Sequence, residues 1–133
     1  MHPSGNESQV RMIAIVDDDP AVLNSLARLL QTRSFAAKTY QSGRQFLDSL
    51  SDGKPDCLIL DLQMPEMTGF EVQEHLVSRG IRIPTVIISA RDDTEARERC
   101  RSAGALVYLP KPLDVSALIA AVHKAGSSES RNH

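Results

Sequence analysis

Apolar positions along the chain fall into two alternating rhythms. Short runs rich in branched residues, RMIAIV (11–16), FAAKTY (35–40), CLILDL (57–62), PTVIISA (84–90) and ALVYL (105–109), are each followed by a longer stretch with apolar residues three or four apart. The first rhythm predicts strands and the second amphipathic helices. PAVLNSLARLLQTRS places Val22, Leu26, Leu29 and Leu30 on one face, with Pro20 at the helix start, where its missing N–H costs nothing. SGRQFLDSL turns Phe46, Leu47 and Leu50 inward, GFEVQEHLVSR stops at Gly80, and the highly charged TEARERCRSAG stops at Gly104. DVSALIAAVHKA offers Asp114 as an N-cap and Leu118, Ile119 and Val122 as its buried face. FAAKTY is polar enough for an exposed edge, whereas CLILDL and PTVIISA are almost wholly apolar, as expected of central strands covered on both faces.

Five strand–helix pairs joined by short connections predict a parallel sheet with helices on both sides and right-handed crossovers. A closed eight-stranded barrel needs far more chain. The expected class is therefore α/β, a single (βα)5 doubly wound five-stranded sheet. With 133 residues, 41% of them hydrophobic, there is chain for one domain around one core. Residues 11–125 are read as that domain, 1–10 as a disordered N-terminal segment and 126–133 as a polar tail or the start of a linker. Fifteen basic and 17 acidic residues, with no long block of either sign, argue against direct nucleic-acid or membrane binding. Cys57 and Cys100 are far apart and outside any C-x-x-C pattern, so they read as reduced core thiols, which favours the cytoplasm. No apolar run approaches a membrane span, and MHPSGNESQ shows no export signal.

Open doubly wound sheets bind ligands beyond the carboxyl ends of their strands. The first run ends in Asp17 and Asp18, inside VDDDP; the third ends in Asp61, the fourth in Ser89, and Lys111 lies just past the fifth. These groups converge on one edge. Three carboxylates there sum to −3, so a divalent ion and Lys111 would neutralise them. Hard oxygen donors with few protein ligands suit Mg²⁺, which shares phosphate oxygens readily. A phosphoryl group is then the natural substrate, with Asp61 as the nucleophile. Asp19 reads as a surface or capping residue. His2, His75, His123 and His133 show no ligand spacing, and Met64 and Met67, flanking Pro65, read as packing residues.

The segments IVDDDP, LDLQMPEMTG, VIISA and YLPKP, in this order and spacing, resemble the receiver domain of two-component response regulators, and PDCLILDLQMPEMTGFE and GALVYLPKPLD are most similar to the NarL/FixJ class of transcription regulators. The resemblance spans about 11–125 and implies the flavodoxin-like strand order 2-1-3-4-5. It implies that Asp61 accepts a phosphoryl group from a phosphohistidine on a sensor histidine kinase. Asp18 would ligate Mg²⁺ directly, Asp17 mainly through water, and Gln63 through its backbone carbonyl. Lys111 would contact the phosphoryl group, Ser89 would donate its hydroxyl to it, and Tyr108 would turn inward on activation. The domain would catalyse its own phosphorylation and slow dephosphorylation without being a conventional turnover enzyme. Its helix 4/strand 5 face would control dimerisation or an output partner.

Gln63 and Arg91, two residues after Asp61 and Ser89, stand where they could shield or orient attacking water. Lys111–Pro112 is a candidate cis bond. No helix-turn-helix follows GSSESRNH, so the chain is either a single-domain receiver or a piece of a longer regulator whose DNA-binding domain lies elsewhere. Two other readings stand beside this one. A haloacid-dehalogenase-like phosphatase would use Asp17 and Asp19, but Pro20-Ala21 departs from that pattern, Asp92-Asp93 precede rather than follow Lys111, and Asp61 is left without a role. A degenerate receiver that only binds partners is disfavoured because all five expected groups are present.

Overall fold

The computed structural model describes residues 10–91 and 93–131. Five strands, β1 (Met12–Val16), β2 (Ala36–Tyr40), β3 (Cys57–Asp61), β4 (Thr85–Ser89) and β5 (Val107–Pro110), alternate with five helices. These are α1 (Pro20–Thr32), α2 (Gly43–Ser49), α3 (Gly69–Ser78), α4 (Thr94–Ser102) and α5 (Val115–Arg131). All strand pairs are parallel, in the order β2-β1-β3-β4-β5. Both the class and the order expected from sequence are present.

Strand alternation sends successive side chains to opposite faces and so divides the core in two. Ile13, Ile15, Cys57, Ile59, Val86 and Ile88 pack with Leu23, Leu26 and Leu30 of α1 and Leu118, Ala121, Val122 and Ala125 of α5. Ala14, Val16, Leu58, Leu60 and Ile87 face the other way, against Phe46 and Leu47 of α2, Val72 and Leu76 of α3, and Ala96 and Cys100 of α4. β3 and β4 are buried at every position, whereas the edge strand β2 is mostly exposed. At about 1.5–3 kcal/mol for each fully buried Leu, Ile or Phe, these two layers supply the main driving force for folding. Both cysteines are free and buried. Burial pushes the Cys57 thiol up to about 12 and the Cys100 thiol up to about 11, so both are unreactive packing groups.

Three boundaries differ from the sequence reading. Val10 is buried in the α1/α5 layer rather than belonging to a disordered segment; residues 1–9 lie outside the described residues. Helix α1 stops at Thr32 instead of reaching Ser34, because Ser34 adopts a left-handed φ of 72° that ends it. Helix α5 continues past Ala125 to Arg131, through residues taken for a linker. Ala125 and Gly126 are both buried, so packing carries the helix beyond its last large apolar residue. One boundary device was not legible at all: the Asp56 carboxylate accepts the backbone N–H groups of Arg11 and Met12, each at 3.0 Å, and fixes the start of β1.

Candidate functional site

The sheet register aligns the carboxyl ends of four strands. Val16 lies opposite Leu60, Asp61 opposite Ile88, and Ser89 opposite Pro110. Backbone bonds extend the pairing one step further, from Asp17 N–H to the Tyr40 carbonyl (3.1 Å), Leu62 N–H to Ile88 (3.0 Å) and Lys111 N–H to Ser89 (2.8 Å). The chemistry-bearing residues are thus held by the last rungs of the sheet. Lys111–Pro112 is cis.

Asp17 is wholly buried, Asp61 is 3% exposed, and Asp18 lies on the open side. One carboxylate oxygen from each of Asp17, Asp18 and Asp61 lies within 4.8 Å of the others, the only such cluster of potential metal ligands among the described residues. His75 and His123 are not part of it. Both oxygens of Asp17 are engaged, Oδ1 by the Asp19 backbone N–H at 2.9 Å and Oδ2 by Lys111 Nζ at 2.9 Å. Lys111 also approaches Asp61 Oδ1 at 3.4 Å, so one ammonium bridges the two buried acids.

That single cation does not balance the pocket. Burial, then the neighbouring Asp17 charge, push the Asp61 carboxyl up to about 6, against the opposing pull of Lys111 and the Gln63 backbone N–H. For Lys111, burial works to lower the pKa, but the Asp17 hydrogen bond and the charges of Asp61 and Asp17 outweigh it, and the net shift is upward. The ammonium stays charged while a neighbouring carboxylate is disfavoured. A compact, hard dication entering from the Asp18 side would relieve that imbalance, so the donor set fits a divalent metal.

The loop after β3 folds back so that α3 starts close against the strand end that carries Asp61. Thr68 and Glu71 form a reciprocal capping box at the start of α3. The helix then comes so close to the strand end that a Cβ on Gly69 would lie 2.6 Å from the Asp61 backbone oxygen and 2.9 Å from Leu62 Cα. Only glycine permits that approach.

Asp19 does not join the cluster. Its carboxylate accepts the Ala21 N–H at 2.9 Å as the N-cap of α1, in line with the capping reading and against a phosphatase in which it would act on substrate. Ser89 is fully buried, and its hydroxyl oxygen accepts the Arg91 N–H at 3.0 Å. The Arg91 carbonyl in turn accepts the Tyr108 hydroxyl at 2.5 Å. The Arg91 peptide therefore links the expected switch pair, a connection sequence spacing did not suggest. Tyr108 is half-buried, with the Arg97 guanidinium 4.9 Å from its ring centroid. The Arg91 side chain turns to Asp93 instead, with Nε at 2.9 Å and a terminal nitrogen at 2.8 Å. Gln63 has an exposed side chain beside the pocket.

Comparison with known proteins agrees with this geometry. Residues 13–123 match the family described as "Response regulator receiver domain". The chain is 40% identical over 108 residues to "Response regulator MprA" of Mycolicibacterium vanbaalenii, a match covering 81% of this chain and 47% of that protein. It therefore spans about half the length of the curated relatives it matches. A response regulator receiver protein from Burkholderia phymatum superposes with a TM-score of 0.78 and 42% identity, covering 88% of this chain and 95% of that one. The structure titled FIXJ-N gives a TM-score of 0.83 and 34% identity over 90% and 95% of the two chains, compatible with the NarL/FixJ likeness. Among the described residues, no helix is long and apolar enough to cross a membrane. With the fold, the strand-end acids and these matches in agreement, the chain belongs to the response regulator receiver domain family.

Proposed function

We propose that this domain acts in the cytoplasm and accepts a phosphoryl group on Asp61 from a phosphohistidine of a sensor histidine kinase, in a Mg²⁺-dependent reaction. The observation that carries the reading is the bridge of Lys111 between Asp17 and Asp61 beside an open, exposed Asp18. An Asp61 oxygen attacks phosphorus, the phosphorus–nitrogen bond to the histidine breaks, and an acyl phosphate remains. Lys111 would follow the new charge, and the Ser89 hydroxyl would donate to a phosphoryl oxygen. Asp18, Asp61 and the Gln63 carbonyl would hold Mg²⁺, with Asp17 acting mainly through water, because both of its oxygens already have protein donors. The ion, when bound, supplies neutralising charge for the transferring oxygens.

Phosphorylation replaces one negative charge by roughly two and adds acceptor oxygens. As the Ser89 hydroxyl turns to donate to them, the Arg91 backbone, bonded to Ser89 Oγ through its N–H and to the Tyr108 hydroxyl through its carbonyl, would carry the change to Tyr108 and the α4/β5 face. That face would then govern dimerisation or contact with an output module, transcriptional by analogy with FixJ-type regulators. Gln63 and Arg91 are the candidates for setting phosphoryl lifetime, and decay timed in Gln63→Ala and Arg91→Ala would rank them.

The test is labelling with acetyl phosphate and Mg²⁺. Wild type and Asp17→Asn should form an acid-stable, base-labile phosphoryl adduct, the variant more slowly, and Asp61→Asn none. Labelling of Asp61→Asn at the wild-type rate would refute the reading.

A further inference from the structure

Helix α4 is attached differently at its two ends. Its only buried residues are Ala96 and Cys100, so apolar docking is slight. A surface cleft of about 260 Å³, lined by Arg97, Cys100, Arg101, Leu106 and Tyr108 among others, runs between it and β5. The N-terminal end is tied to the phosphoryl site. Asp93 caps the helix through the Ala96 N–H and also holds Arg91, whose peptide joins Ser89 to Tyr108.

The C-terminal half is tied instead to α3. Nε2 of Gln73 donates to the Cys100 carbonyl at 3.2 Å, and that carbonyl also accepts the N–H groups of Ala103 and Ala105 at 3.2 and 3.0 Å. On the surface above, the Arg99 guanidinium lies 3.9 Å from the Phe70 ring centroid and 4.0 Å from Glu74. Gln73 is 3% exposed, and among the described residues its Oε1 has no hydrogen-bond partner. A buried amide with an unsatisfied oxygen is a poor device for stability, since an apolar residue of the same shape would leave nothing unpaired. Its one hydrogen bond acts on the position of α4.

We propose that Gln73 is a positioning residue that makes the C-terminal end of α4 a fixed pivot: on phosphorylation the N-terminal end swings with Ser89, Arg91 and Tyr108 while the Cys100 turn stays on α3. This rests on the receiver reading above. The test is residue-resolved amide hydrogen exchange of the full chain, with Mg²⁺ and beryllofluoride as the phosphoryl mimic. In wild type, exchange at the Gln63 and Arg91 amides (the pocket) and at Ala96 and Arg97 (the swinging end) should change about tenfold, and at Ala103 and Ala105 less than about twofold. Gln73→Met, nearly isosteric but without the hydrogen bond, should keep its melting temperature and extend the change to Ala103 and Ala105. The exposed Arg99→Ala should do so partially, and decides the matter if Gln73→Met does not fold. Equal change at both ends of wild-type α4, or a wild-type pattern in the variants, overturns the pivot alone. No change even at Gln63 and Arg91 overturns the receiver reading and the pivot together.

Discussion

Removing the charge of Asp61 should stabilise the metal-free protein, and by an amount that depends on pH. Its carboxyl is raised from 3.8 to about 6 by burial and by the Asp17 charge, with the attraction of Lys111 already netted against them. The folded state therefore holds this proton more tightly than the unfolded chain does. For a raised acid, folding stability is highest where the group is protonated in both states, falls as pH climbs from 3.8 towards 6, and stays reduced above. A rise of about two pKa units corresponds to about 3 kcal/mol at 1.36 kcal/mol per unit, the upper limit of the penalty at neutral pH. Asp61→Asn cannot ionise and escapes it. In urea denaturation with a chelator, Asp61→Asn should exceed wild type by about 2–3 kcal/mol at pH 7.5 and match it near pH 3.5. Millimolar Mg²⁺ should then raise the stability of wild type and narrow the gap, because a ligand of the native state stabilises it by mass action. An Asp61→Asn protein no more stable than wild type at pH 7.5, or more stable by the same amount at both pH values, would show that the pocket is not electrostatically strained.

Lys111→Met removes the bridging cation, so Mg²⁺ should bind at least several-fold tighter by calorimetry, reflecting about 1 kcal/mol or more of lost repulsion, while phosphoryl acceptance slows. Unchanged Mg²⁺ affinity would mean the lysine does not compete for the acids. Gly69→Ala should cost about 2 kcal/mol or more in chemical denaturation and slow Asp61 labelling, because its Cβ would sit 2.6 Å from the Asp61 backbone oxygen. Ser34→Gly, at the left-handed φ of 72° beyond α1, should stabilise by about 0.5–1 kcal/mol with no effect on labelling.

The fold was legible because two periodicities sorted the chain without help from long-range contacts, and the site because ligand chemistry in such sheets lies at strand ends. Asp17, Asp18, Asp61, Ser89 and Lys111 could each be named from their place at the close of an apolar run. What escaped depends on contacts between residues far apart. Asp56 serves β1 from 44 residues away, and Gln73 serves α4 from 27. Neither has a local pattern that announces its partner. The end of α5 was misread because GSSESR has the composition of a linker, whereas the buried Ala125 and Gly126 continue the helix by packing. The left-handed Ser34 was missed because serine carries no signal for that conformation comparable with glycine's.

That Asp61, and neither of the acids in VDDDP, is the reacting carboxylate is most directly tested by mapping the acyl phosphate. Wild type treated with acetyl phosphate and Mg²⁺, then reduced with borohydride and digested, should show homoserine at position 61 alone, and none when a chelator replaces the metal. Homoserine at position 17 or 18, or at 61 to the same extent without Mg²⁺, would contradict it.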